Sequence, residues 1–107
     1  MSEASEIKRD GAKAQKNSGR WKIQKGDAIW KGFVVDYKEY SKSISISRDV
    51  WGKICTDAWK TGAGYDPILK LILGTTNNKT RLAVLEWSKL EELIEKAEQW
   101  DSIEKSQ

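Results

Sequence analysis

Residues 27–38 read DAIWKGFVVDYK, two short apolar runs joined by Lys31-Gly32. That dipeptide is the turn signal inside the stretch, and a two-residue turn there makes the segment an antiparallel hairpin. Once the turn is placed, the register follows. Trp30 stands opposite Phe33, Ile29 opposite Val34, Ala28 opposite Val35, and Asp27 opposite Asp36. Opposed residues point to the same side of a sheet. Asp27 and Asp36 are therefore cross-strand neighbours, and Lys38 shares their face about 7 Å further along the strand. A slip of one residue would send all three to the other face. Charges on a half-buried strand are costly, so their placement there asks for a chemical reason.

The remaining chain supplies the frame around this hairpin. Residues 3–16, rich in Ala, Lys and Glu, read as a helix weakened by Gly11. Asn17-Ser18-Gly19 is a stop, and 21–25 alternates as a short strand. Residues 41–47 (SKSISIS) alternate again. Ser47 is placed to cap a helix over 48–61, closed by Gly62 or Gly64. Its apolar positions are Val50, Trp51, Ile54, Cys55, Ala58 and Trp59. Residues 67–73 read as a buried strand, 75–80 as a polar turn and 81–87 as the return strand. Ser88 with Glu91 forms a capping box for a last helix to about Trp100. The predicted order is α-β-β-β-α-β-β-α, an α/β (α+β) fold with a mixed sheet flanked by helices, in one domain over 1–107.

Composition removes several chemistries. The chain has no histidine and one cysteine, Cys55. Imidazole-based nucleophilic sites, imidazole zinc sites and an internal disulfide are thereby excluded. A reducing, cytoplasmic location is expected, with no signal peptide and no membrane span. Net charge is +3 but uneven. Residues 1–31 hold eight Lys/Arg against four acids, whereas 86–107 hold three Lys against seven acids. The first third is the candidate polyanion surface, and the acidic last helix reads as a solvated face. Hydrolysis in such a chain must run on carboxylates, lysines and a hard cation such as Mg²⁺. Cleaving a phosphodiester requires charge neutralisation, an activated water and a stabilised leaving oxygen. Asp27 and Asp36 suit the cation, with the Tyr37 carbonyl as a further oxygen ligand. Lys38 suits the phosphate or the water.

These residues resemble the PD-(D/E)XK nucleases, and within them the archaeal- and phage-type Holliday junction resolvases. Lys25-Gly26-Asp27 is similar to the strand element carrying the first aspartate, and Asp36-Tyr37-Lys38 to the acidic-x-Lys element. Glu6 resembles the acid of the first helix, with Glu3 or Asp10 as alternatives because the link to the strand is short. Ser18-Gly19, Ser43-Ile44-Ser45-Ile46, the strand 67–73 and Glu86-Trp87 complete a likeness over about residues 3–88. Gly26 stands where the broader motif has proline, and Asp36 where glutamate is usual.

The resemblance implies a restriction-endonuclease-like fold and a Mg²⁺-dependent endonuclease, with Mn²⁺ an alternative metal. Glu6, Asp27, Asp36 and Lys38 would be catalytic, and Asp27, Asp36 and Tyr37 would hold the metal. It implies a homodimer that cuts opposed strands of a four-way DNA junction. The expected DNA-contacting residues are Lys8, Lys13, Lys16, Ser18, Arg20, Lys22, Lys25 and Ser43, positioning the backbone without reading sequence. A same-fold nuclease acting on other DNA and a non-catalytic DNA-binding domain are the competing expectations. Among the six tryptophans, Trp51 and Trp59 lie on one helix face as core or dimer interface, and Trp21 suits base stacking.

Overall fold

The computed structural model describes residues 3–16 and 23–105. Its elements run α1 (Glu3–Asp10), β1 (Lys13–Lys16), β2 (Ile23–Trp30), β3 (Phe33–Tyr40), α2 (Arg48–Thr61), β4 (Asp66–Thr75), β5 (Asn78–Val84) and α3 (Trp87–Lys105). The five strands form one mixed sheet in the order β1-β2-β3-β4-β5. Only β3 and β4 pair in parallel, joined by the α2 crossover; the other neighbours are antiparallel. The element order is the one read from the sequence, although several boundaries differ.

The hairpin forms with the register expected from its turn, from Trp30 opposite Phe33 to Asp27 opposite Asp36. Lys31 and Gly32 both take positive φ, 49° and 84°. These are the values a two-residue primed turn demands, and glycine meets its share without strain.

The first helix is shorter than expected because Gly11 ends it. Gly11 donates to the Lys8 carbonyl at 3.1 Å and Ala12 to the Ile7 carbonyl at 3.0 Å, with Gly11 at φ 69°. This pair of bonds closes the helix over a left-handed glycine and frees 13–16 to pair as an edge strand. Residues 41–47 form no strand and connect β3, whose two edges are paired with β2 and β4, to α2. Ile44 instead packs against the core under α2. The return strand begins at Asn78 rather than at 81, after a turn at Thr76-Asn77. Its exposed, polar outer edge hides it from a search for apolar runs. Trp87 opens α3 instead of closing β5, and the carbonyl of Glu86 accepts from Leu90 at 3.2 Å. Ser88 therefore lies inside that helix and is not its cap.

Alternation along the central strands divides the core into two layers. Val34, Leu69 and Leu71 meet Ile54 and Ala58 of α2 on one face. Ala28, Val35, Tyr37 and Ile72 meet Ile7 of α1 on the other. Val34–Tyr37 are all buried, as befits a strand covered on both sides. Ser47 caps α2 as expected, accepting from the Val50 amide at 3.2 Å. Trp59 is 81% exposed and so is not a core residue. None of the residues of α3 is buried, and its first turn ties it to the sheet through Lys89, 2.8 Å from Asp66. Among the described residues, no helix is long and apolar enough to cross a membrane.

Gly74 holds the β4–β5 end together. Its φ is 119°, and a Cβ there would run into the Asn78 carbonyl. Gly74→Ala is expected to cost about 2 kcal/mol through backbone strain and displacement of that carbonyl. A denaturant midpoint unchanged from wild type would contradict this.

Candidate metal and phosphate site

Asp27 and Asp36 stand side by side on the face of the sheet that α2 covers. They share that face with Val34, whereas Tyr37, one residue on, points to α1. The side chain of Asp27 is 2% exposed and that of Asp36 is 9% exposed. Lys38 Nζ lies 3.2 Å from Asp36 Oδ2. The hairpin therefore brings together the three residues singled out from sequence, and it does so through its register alone.

Helix α2 adds two residues that the sequence reading missed. Lys53 Nζ lies 3.9 Å from Asp27 Oδ2 and 3.3 Å from Asp57 Oδ2. Lys53 and Asp57 are one helical turn apart, each one position before a buried residue, Ile54 or Ala58. That offset puts them at the rim of the face packed on the sheet. A charged pair repeating four apart beside an apolar pair was the signal in the sequence that marked them.

The electrostatics of the cluster are unbalanced. Both carboxylate oxygens of Asp27 are buried without a hydrogen-bond partner. Burial, then the negative charge of Asp36 and Asp57, push the Asp27 carboxyl up to about 7 against the opposing pull of Lys53. A hydrogen bond that the protonated carboxyl can give to Asp57 adds to the rise, so the two oxygens lack a partner as the carboxylate. Burial also raises Asp36, with Lys38 working against the shift. Burial alone would lower Lys53, but Asp27 and Asp57 outweigh it and raise its pKa. A buried carboxylate with unused lone pairs is a site short of positive charge.

These residues fit a hard divalent cation. Mg²⁺ keeps several waters and takes only one or two protein carboxylates. Among the described residues no three carboxylates or other ligating side chains are grouped as a ready-made cage. Any ion would thus rest on Asp27 and Asp36, with water completing its shell. Tyr37 offers only its backbone to this side, because its hydroxyl donates to Asp10 on the other face at 3.0 Å.

The acids of α1 are not part of this cluster. Glu6, expected beside Asp27 and Asp36, lies across the sheet from them. Arg81 donates to Glu6 with Nε at 2.9 Å and Nη2 at 3.0 Å, and Lys70 Nζ stands 3.3 Å away. Glu3, one alternative, accepts from the Glu39 amide at 3.3 Å. Asp10, the other, holds Lys70 at 2.7 Å. The physical reason is that α1 packs on the layer containing Ala28, Val35 and Tyr37, opposite to the one carrying Asp36. Lys70 was the overlooked clue, since a lone lysine inside the apolar run 67–73 requires a buried acid.

The expected DNA contacts divide between the two faces. Lys13 pairs with Ile29, so its side chain lies on the Asp27 side of the sheet. Lys8 is exposed on α1, on the opposite side, and Ser43 is exposed in the loop after β3. Ser18, Arg20 and Lys22 lie outside the described residues, as do Trp21 and the side chains of Lys16 and Lys25. Comparison with family models, with curated proteins and with solved structures found no match for this chain.

Proposed function

We propose that the protein is a divalent-metal-dependent endonuclease acting on branched DNA, with four-way junctions as the preferred substrate. The observation that carries this reading is Asp27: a carboxylate 1% exposed, both oxygens unpartnered, set against Asp36 and flanked by lysines. A bound Mg²⁺ would neutralise phosphate charge and make a water acidic enough to attack. The chain's own residues do the rest. Asp27 and Asp36 hold the cation, and burial keeps their geometry fixed. Lys38, partly exposed and steered by Asp36, presents an ammonium to a phosphate oxygen or to the attacking water. Lys13 gives the same side of the sheet a further positive charge for the DNA backbone. A homodimer with two such sites would cut opposed strands of a junction.

A second reading is a DNA-binding domain of the same fold without catalysis. What favours it is the separation of Glu6 from the aspartate pair, which leaves the site one acid short of the resemblance. One experiment separates the two. Purified protein is incubated with Mg²⁺ or Mn²⁺ and with labelled four-way junction, flap and duplex DNA, beside Asp36→Ala. Junction cleavage is expected, reduced at least about tenfold in Asp36→Ala. Binding without cleavage of any substrate would establish the second reading. Equal cleavage of junction and duplex would give a nuclease without junction preference.

A further inference from the structure

We infer that Lys53 is a built-in stand-in for the divalent cation, held over the aspartate pair by Asp57 and released toward substrate phosphate when a metal is bound. This rests on the metal-dependent reading above and assigns α2 a part in it. Three observations support it. Among the described residues, Lys53 is the cation paired with the orphaned carboxylate of Asp27, yet at 3.9 Å it is too far for a hydrogen bond. Its side chain is 56% exposed, so it can swing away without disturbing the core. Asp57 Oδ2, at 3.3 Å, anchors the ammonium from one turn further along the same helix.

Lys38 cannot play this part. It is bound to Asp36 at 3.2 Å and is only 23% exposed, so it stays in the site. The two lysines therefore differ in function. Lys38 is fixed beside its carboxylate, and Lys53 is a mobile counter-charge on a flexible four-carbon stem. With Asp27, Asp36 and Asp57 ionised, the two lysines leave the cluster one positive charge short. A divalent ion would overfill it by one if Lys53 remained, so metal binding and the Lys53–Asp27 contact oppose each other. Once freed, the ammonium stands at the solvent rim of α2, where a phosphate oxygen of bound DNA can take the place of the carboxylate. The fixed seat of α2 makes this possible: Ser47 caps it, and Ile54 and Ala58 lock it to the sheet.

The test uses the full chain and two probes. The first is Mg²⁺ or Mn²⁺ alone, titrated by calorimetry. Lys53→Met is expected to bind the metal about fivefold more tightly than wild type, the equivalent of the ~1 kcal/mol of a partly exposed ion pair. The second is a four-way DNA junction titrated in Ca²⁺. Here Lys53→Met is expected to bind about fivefold more weakly, because a phosphate contact is lost. Lys53→Gln, with a polar side chain, repeats both measurements and guards against a packing artefact. Metal affinity unchanged or weakened in both variants overturns the inference, as does junction affinity unchanged in both. Asp27→Asn separates this inference from the reading beneath it. Metal binding that is lost in Asp27→Asn but not tightened in Lys53→Met leaves the metal site standing and removes only the role of Lys53. No metal binding by wild type, or binding that survives Asp27→Asn, overturns both.

Discussion

Replacing Asp27 with asparagine is expected to make the protein more stable, by about 3 kcal/mol at pH 8 in metal-free buffer. Holding a carboxyl at about 7 instead of 3.8 costs, once it is ionised, about 4 kcal/mol at ~1.4 kcal/mol per pKa unit. Asparagine removes that cost and returns part of the gain, because its amide is itself poorly partnered. The direction with pH follows from proton binding. The folded form holds the Asp27 proton more tightly than the unfolded chain does. Wild-type stability from this group therefore falls as pH rises from about 4 to about 7 and is flat above. The variant lacks that slope. Added Mg²⁺ should recover stability in wild type by mass action, and should do nothing for Asp27→Asn. Urea titrations of both proteins at pH 5 and pH 8, with and without Mg²⁺, read each of these effects. A variant less stable than wild type at pH 8 without metal would mean that the carboxylate is satisfied after all.

On the opposite face the expected sign reverses. Glu6→Gln should destabilise the fold by about 2 kcal/mol at pH 7. The Arg81 guanidinium donates two bonds to Glu6, and with Lys70 it holds the carboxyl down at about 2 against the opposing effect of burial. A shift from 4.5 to about 2 corresponds to about 3 kcal/mol, discounted here because Arg81 is one-third exposed and solvent screens the pair. That contribution is fully present above about 4.5 and is lost as pH falls through about 2. Wild type and Glu6→Gln should therefore converge in acid and diverge toward neutrality. Metal affinity should be the same in both, since Glu6 lies across the sheet from Asp27. Loss of metal binding in a Glu6→Gln protein of unchanged stability would return Glu6 to the site. Together these two groups contribute most to the stability of the metal-free protein near pH 4–5, where Glu6 is ionised and Asp27 still carries its proton.

What could be read from residues alone was much of what depends on local chain geometry. Lys31-Gly32 accepts positive φ, and that set the turn, the register and the meeting of Asp27 with Asp36. Ser47 and Gly62 bounded α2 for the same kind of reason, through backbone groups satisfied within a few residues. Gly11 was legible too, but the good helix formers on either side of it mask its strength as a helix stop. The bounds of β5 and the coil at 41–47 were not legible because strand formation depends on pairing with a partner far off in sequence, which no local pattern records.

The membership of the site beyond the hairpin was a different matter. Whether an acid of α1 joins Asp27 depends on which face of the sheet that helix covers, and the choice is made by packing between residues far apart in sequence. Ile7 on the layer of Val35 and Tyr37 sends Glu6 to Arg81 and Lys70. Ile54 and Ala58 on the layer of Val34 and Leu69 bring Lys53 and Asp57 to the aspartates instead. Periodicity reveals that a helix has a buried side, but only the assembled sheet decides which charges that side is pressed against, because burial is a property of the whole packing and not of any one segment.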